Sequence, residues 1–553
     1  MLLVFVALTA ALTYPLAFRL GSVAYRPDNG DGQFSVWNTS WVARALVLNP
    51  RHVFDANIFY PEAGTLAYSE ANIGSGALAV PVYWWTANPF AAHGFVVLLS
   101  FIFSATGAYA LVRHLTGDRV AALSAGVIFG FCPHVYAHLL HIQLLWTAGL
   151  PWSLVAFHRL VDHPSWRRGV VLGLAMAWQL YLCAYYAVFL VLTVGVFALA
   201  VATLRQRWTS PRYWLAMTVA GAVALAASAP LLNAYLQFQQ TTGFARPLSA
   251  SGGFSANWQA YLASPAYAHS WILPWLGSWN EVLFPGWVGA FFAGLALLSR
   301  LSIQGRPREA RVLYLTIGLL AHWASFGPAA GLYQALYEAF PPFSFMRAPS
   351  RFGVIVTLVT AVLAGLGIAH ARTTFLRSPW ATAALIVLVV AEHVVPLDFR
   401  PVPPVEPGYR KLATLPYGAL IEMPVYSERA QFVRARYMLA STTHWMPIVN
   451  AYSDYIPARF QENLQVLGDF PSHESLRLLT EDGVRYAMFH LDSYGTLRGE
   501  LDRRLAEFAP QLALRYEDPA MRLYEIIPPS RAHANAAPPV GSSSPTSDDR
   551  VVE

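Results

Sequence analysis

Apolar residues in this chain are gathered into stretches of about 15 to 24, the length that crosses ~30 Å of hydrocarbon at a helical rise of ~1.5 Å per residue. A backbone in lipid must satisfy its own N–H and C=O groups, so such stretches can only be transmembrane helices. The composition agrees: of 553 residues, 56% are hydrophobic and 12% charged, too apolar for a set of soluble domains. Spans are expected near 2–20, 89–112, 119–133, 143–160, 169–184, 185–204, 213–234, 284–301, 311–327, 352–371 and 379–395, about eleven in all. The first is read as a span and not a signal peptide, because no basic residue precedes it and no small-residue cleavage site follows.

Orientation follows from arginine in the loops. One set of short connections holds Arg113, Arg119, Arg159, Arg167, Arg168, Arg205, Arg207 and Arg212, with further arginines beyond residue 299. The opposite set contains every long loop and only Arg26, Arg44, Arg51, Arg246, Arg347 and Arg351. The first set is therefore expected in the cytoplasm, with the N-terminus inside and the chain from residue 396 outside, as in a multi-pass protein of a bacterial plasma membrane. The net charge of +6 is divided among these clusters, which argues against a nucleic-acid partner. Cys132 and Cys183 fall in or beside apolar segments, with no spacing that suggests a metal site or disulfide framework.

The expected fold is thus a polytopic α-helical membrane domain over 1–395, with a long first outer loop at about 21–88. A soluble, extracytoplasmic α/β domain follows over 396–527, and a Ser-, Pro- and Ala-rich tail over 528–553 is expected to be disordered. In the first outer loop, Phe34, Trp37, Trp41, Ala45 and Leu48 recur at helical spacing and suggest a helix lying in the membrane interface. The apolar stretch Gly74 to Trp85 is short for a span and suits a flat or re-entrant helix. After Pro401, Pro403 and Pro404, strands are expected at Ala419 to Met423 and Val484 to His490, a helix at Ser472 to Glu481, and a hairpin turning at Asp518 and Pro519.

Five groups of residues can carry chemistry. Asp28 and Asp31, in the run from Tyr25 to Gln33, suit a general base with its partner or oxygen ligands for a divalent cation; the same Asp-Asn-Gly-Asp-Gly is also good turn chemistry. Glu62 and Glu70 form a second acidic pair, and a carboxylate beside lipid has a raised pKa suited to proton transfer, although Glu70 also suits a helix cap. His134, His138 and His141 stand at i, i+4 and i+7, a spacing that suits a metal completed by outer-loop carboxylates, a phosphate, or simply a polar helix face. Arg347 and Arg351 break the arginine asymmetry at the outer end of a span, where a lipid phosphate or ordinary headgroups can pair with them. His444, Trp445, Asn450, Tyr452 and Ser453 mix aromatics with hydrogen-bonding groups, as a sugar-binding surface or a core edge would.

Many spans, a long first outer loop with acidic residues just after the first helix, and an outer C-terminal domain together resemble the bacterial GT-C glycosyltransferases, relatives of protein O-mannosyltransferases and aminoarabinose transferases. The resemblance covers about residues 1–395. It implies a polyprenyl-phosphate-linked sugar donor, an acid of the first outer loop as base, mapping to Asp31 and secondly Asp28, and basic residues on the lipid phosphate, mapping to Arg347 and Arg351. The Asp-Glu pair of the mannosyltransferases is absent here.

The function so implied is inverting transfer of a sugar from a polyprenyl-phosphate donor to a lipid or cell-envelope acceptor on the outer face. The sequence identifies no cofactor with certainty, and the carboxylates leave room for Mg2+ or Mn2+. Two alternatives stand beside it: a transporter or flippase of lipid-linked saccharide, for which Glu392 near a span end is the main intramembrane acid, and a non-catalytic envelope-assembly protein.

Overall fold

The computed structural model describes residues 1–301 and 305–528, so the expectation for the tail falls outside the described residues. The chain divides into two compact units. The first comprises residues 1–56, 63–404 and 452–455, and the second residues 57–62, 405–451 and 456 onward.

The first unit opens with α1 (Leu2–Leu12), β1 (Val23–Tyr25), α2 (Gly30–Leu48), α3 (Ile73–Thr86), α4 (Pro89–Thr116) and α5 (Arg119–Gly130). It continues with α6 (Pro133–Ala137), α7 (Ile142–Leu145), α8 (Gly149–Asp162), α9 (Trp166–Leu182), α10 (Ala184–Leu204) and α11 (Pro211–Thr242). Then come α12 (Leu273–Leu276), α13 (Trp287–Leu298), α14 (Pro307–Ser325), α15 (Leu332–Ala339), α16 (Gly353–Thr374), α17 (Pro379–Glu392) and β2 (Phe399–Pro401).

A helix lies at every stretch expected to span, but the lengths differ. Five helical segments are long and apolar enough to cross a membrane: Pro89–Thr116, Arg119–Ala137, Ala184–Leu204, Pro211–Thr242 and Pro349–Thr374. By contrast α1, α13 and α17 have only 11, 12 and 14 residues, short of the ~20 that hydrocarbon requires. The helices nevertheless define a multi-pass membrane architecture, and where they touch, small residues set the spacing. Gly169 and Gly173 share one face of α9, and a Cβ on either would come within 2.4–2.5 Å of the Ala216 and Ala220 carbonyl oxygens of α11. This is the small-residue contact that lets membrane helices pack backbone to backbone. At the arginine-rich end, Arg205 bridges Asp162 at 3.0 Å and Glu309 at 2.6 Å, joining the ends of α8, α10 and α14.

Two expectations need correction in this unit. Helix α2 is no interfacial helix with one wet face: Ser35 through Ala43 are buried all round, Asn38 included, because α3 and α4 pack on it. The boundary near residue 395 also falls later, at Pro404, because β2 pairs antiparallel with β1, Val23 opposite Pro401 and Tyr25 opposite Phe399.

The second unit contains β3 (Ala419–Met423), β4 (Val484–His490), β5 (Leu512–Glu517) and β6 (Met521–Ile526) in the order β3-β4-β6-β5. Strands β3 and β4 run parallel, and β6 runs antiparallel to both β4 and β5. All five residues of β3 are buried, Glu422 among them, and β4 carries one partly exposed residue, Arg485, so burial runs along both strands without alternating. Ser472 caps the helix His473–Glu481 through a reciprocal bond with Ser475. The β5–β6 hairpin turns on Asp518, whose Oδ1 accepts the Ala520 and Met521 N–H groups.

Candidate functional site

A cavity of about 370 Å³ opens in the first unit. One end gathers Asp31, Glu70, His141, Arg246, Arg347, Arg351, Tyr452 and Asp454; the other is walled by Leu180 of α9, Val188 of α10, and Leu232, Leu236 and Phe238 of α11.

Asp31 is held by the start of α2. The Asn29 side chain accepts the Asp31 N–H at 2.9 Å and the Gly32 N–H at 3.4 Å, capping the helix and fixing the Asp31 carboxylate in its first turn. The turn chemistry of this segment is thus carried by Asn29, which leaves the Asp31 side chain at the cavity. Gly32 lies close to the next element: a Cβ there would meet the Leu140 side chain at 3.0 Å, and Ser35 Oγ donates to the Leu140 carbonyl at 2.7 Å. That packing brings the His138–His141 turn against α2. His141 Nε2 lies 3.6 Å from Asp31 Oδ2, and the Tyr452 hydroxyl donates to Asp31 Oδ1 at 3.2 Å. Burial, with the Asp31 charge second, pushes the Tyr452 phenol well above its ordinary value and keeps it a donor. Burial also lowers the His141 imidazole, against the opposing pull of Asp31, which favours the neutral ring.

Glu70 lies at the N-terminus of α10, where its carboxylate accepts the Ala184 N–H. Burial pushes this carboxyl up to about 7, while the Ala184 N–H and the Arg351 guanidinium pull it down. The Arg351 guanidinium lies over the Tyr185 ring at 4.1 Å, and among the described residues no carboxylate comes within salt-bridge distance of it. Arg246 and Arg347 share Asp454 Oδ1 at 3.2 and 3.3 Å, so a single carboxylate sits between two guanidinium groups.

The remaining sequence candidates lie elsewhere. Asp28 is solvent-exposed and pairs with Arg400 at 3.4 Å, outside the cavity, because Asn29 turns the chain between the two aspartates. Glu62 belongs to the second unit and Glu70 to the first. The three histidines do not share one helix: α6 ends at Ala137, and only His141 reaches the cavity. His138 Nε2 instead faces the Glu281 carboxylate at 3.6 Å, away from the cavity lining, and burial holds its imidazole down at about 3.

In the second unit, Asn450 is fully buried and spends its amide on Glu422, accepting that residue's N–H at 3.0 Å and donating to its carbonyl at 2.8 Å. The His444 ring stacks on Tyr409 with centroids 5.9 Å apart, and its Nδ1 accepts the Met446 N–H at 3.0 Å. Trp445 takes a left-handed backbone conformation, φ 55°, in the turn between them. The sugar-binding group proposed from sequence is therefore divided, and only Tyr452 and Ser453 belong to the cavity.

Sequence reasoning missed Arg246 and Asp454 at the cavity, and Glu281 facing His138 outside it. Arg246 carried a signal, an arginine in a long loop of the arginine-poor side; the two acids carried none beyond their charge. Glu392, the acid that would favour transport, is committed to structure: its carboxylate caps α13 through the Trp287 and Val288 N–H groups and bonds His269 at 3.0 Å.

The fold is similar to that of solved membrane-protein structures. The mycobacterial arabinofuranosyltransferase AftD matches with a TM-score of 0.58 at 16% identity, over 95% of this chain and 41% of AftD. The archaeal oligosaccharyltransferase AglB from Archaeoglobus fulgidus, in complex with an inhibitory peptide and a dolichol-phosphate, gives 0.48 at 11% identity over 93% of this chain and 72% of AglB. ArnT from Cupriavidus metallidurans bound to undecaprenyl phosphate gives 0.47 at 13% identity, over 95% of this chain and 97% of ArnT. No family model matches the sequence, nor does any curated protein. The chain spans 41% of the length of AftD and shares the fold of the matched part.

Proposed function

We propose that this chain is an inverting glycosyltransferase that moves a sugar from a polyprenyl-phosphate donor to a lipid or cell-envelope acceptor at the outer face of a bacterial plasma membrane. The observation that carries the reading is the make-up of the cavity: a cationic, carboxylate-bearing end continuous with an aliphatic wall drawn from α9, α10 and α11. A lipid phosphate is the ligand class that needs both. Helix α11 buries only 22% of its apolar window, which leaves its outer side to lipid and gives a prenyl tail a route to the wall.

In this reading Asp31 takes the proton of the acceptor hydroxyl as the oxygen attacks C1 of the sugar, and the C1–O bond to phosphate breaks. Arg351, with Arg347 and Arg246, offsets the charge that develops on the leaving phosphate. Tyr452 orients the carboxylate of Asp31. The second unit is assigned to the extracytoplasmic side, where the arginine asymmetry places it. The test is transfer of radiolabelled sugar from a panel of polyprenyl-phosphate donors by the purified chain in lipid, wild type against Asp31→Asn. Transfer lost in the variant with donor binding retained supports the assignment; equal transfer by both overturns it.

A further inference from the structure

His134, His138 and Glu281 converge outside the cavity, with one ligand-capable atom from each lying within 4.8 Å of the others. His134 Nδ1 stands 3.7 Å from Glu281 Oε1, and His138 Nε2 stands 3.6 Å from Glu281 Oε2. The side chains are 1%, 13% and 10% exposed, so bulk water does not mediate these approaches.

The hydrogen bonds on the far sides of the rings fix the tautomers. His138 Nδ1 is 2.8 Å from the His134 carbonyl, which can only accept, so Nδ1 carries the proton and Nε2 a lone pair. Tyr186 gives its hydroxyl proton to the Leu144 carbonyl at 3.2 Å and so accepts from His134 Nε2, also at 3.2 Å. His134 Nδ1 is then the lone-pair nitrogen, and this buried atom has no hydrogen-bond partner. Two imidazole lone pairs and a carboxylate thus face one another with no proton between them, an arrangement that repels unless a cation sits at the centre.

The spacing agrees. Ligand atoms ~2.0–2.1 Å from a tetrahedral ion stand about 3.3–3.4 Å apart, near the two separations seen and longer than an ordinary hydrogen bond. The second contact on each ring, to a backbone carbonyl and to a tyrosine hydroxyl, is the outer-shell support that metal-ligating histidines use.

We propose that His134 Nδ1, His138 Nε2 and the Glu281 carboxylate form a binding site for a divalent transition-metal ion of the Zn2+ class. Two nitrogens and one carboxylate suit Zn2+ or Co2+ and not Mg2+, which selects oxygen. The ion ties the loop before α13 to the turn after α6, and that turn also carries His141 into the cavity, with His138 and His141 rings 5.9 Å apart. The site is a positioning device for His141 and takes no part in bond making.

The proposal is independent of the glycosyltransferase reading, because its readout is metal content. The full chain in detergent is stripped with chelator and titrated with Co2+, followed by visible absorption and elemental analysis, then challenged with Zn2+ and with Mg2+. One Co2+ per chain with the intense bands of a tetrahedral site, displaced by equimolar Zn2+ and not by thousandfold Mg2+, is the expected result. Glu281→Gln and His138→Gln, each near-isosteric and checked for wild-type elution on size exclusion, are expected to lose that signal at least tenfold. Folded wild-type chain that takes up neither Co2+ nor Zn2+, or variants that bind as wild type does, would overturn it.

Discussion

Asp31 and Tyr452 stand 421 residues apart in the chain, yet the tyrosine hydroxyl donates to the aspartate carboxylate at 3.2 Å. The bond joins the capped start of α2 to residues 452–455, which leave the fold of the second unit and pack with the first. In the same short segment Asp454 takes Arg246 and Arg347, so four residues of late sequence organise both Asp31 and the cationic end of the cavity.

The two aspartates of the first loop separate cleanly by experiment. Asp31→Asn is expected to lower kcat for sugar transfer by ~10²–10⁴-fold, the usual contribution of a general base. Asp28→Asn removes only an exposed pair with Arg400 and is expected to stay within about twofold, since exposed pairs contribute ~0–1 kcal/mol. Tyr452→Phe keeps the ring and loses the donor, so a drop of about tenfold in kcat, with little change in KM, is expected from one lost hydrogen bond to a charged group. Steady-state kinetics on the three variants decide it.

Arg351 and Arg347 differ in the company they keep. Arg347 shares a carboxylate with Arg246, whereas Arg351 stacks on Tyr185 with its charge unclaimed by any salt bridge among the described residues. Arg351→Gln should therefore weaken polyprenyl-phosphate binding by about tenfold or more, from the ~1.5–3 kcal/mol of a charge-assisted hydrogen bond, and Arg347→Gln by less. Equilibrium binding of a labelled polyprenyl phosphate measures both, and the reverse order would count against the assignment of Arg351 as the principal phosphate ligand.

Asn450 tests whether the second unit was misread from sequence as a sugar surface. Its side chain closes a pair of hydrogen bonds on the buried backbone of Glu422 in β3. Asn450→Ala leaves a buried N–H and C=O without partners, at ~1–3 kcal/mol each. Thermal unfolding is expected to shift down by roughly 5 °C or more. An unchanged melting temperature with lost saccharide binding would restore the sugar-surface reading.

What the sequence made legible follows the range of the forces involved. Helix positions were readable because hydrocarbon imposes apolar runs locally, and β3, β4 and the Asp518 turn because strand pattern and turn chemistry are local too. Helix α2 misled because an apolar stripe over Trp37 and Trp41 looks the same whether the opposite face meets water or, as here, α3 and α4. His138 misled for a related reason: i, i+4 spacing assumes a continuous helix, and α6 stops at Ala137. Asp454 and Glu281 were invisible because their roles depend on partners 107 to 208 residues away by number, Arg347, Arg246, His134 and His138, which no local pattern encodes.

Glu70 gives the chain a pH signature. Its carboxyl has an ordinary value of 4.5 and is raised to about 7, first by burial, with the Ala184 N–H, Arg351 and Cys183 pulling down and Asp454 pushing up. A raised acid is protonated in the folded chain and ionised in the unfolded one between these two values, so the folded state binds more protons there and stability falls as pH rises. The loss begins near pH 4.5 and is complete just above pH 7, beyond which this group contributes no further slope. A shift of this size corresponds to a few kcal/mol at most, and less for a side chain that retains some exposure. Glu70→Gln keeps an oxygen to accept the Ala184 N–H and cannot ionise, so its unfolding temperature in detergent should run flatter than wild type between pH 5 and 7 and lie above it at pH 8. Parallel wild-type and variant profiles would show that the Glu70 carboxyl titrates near its ordinary value in the folded chain.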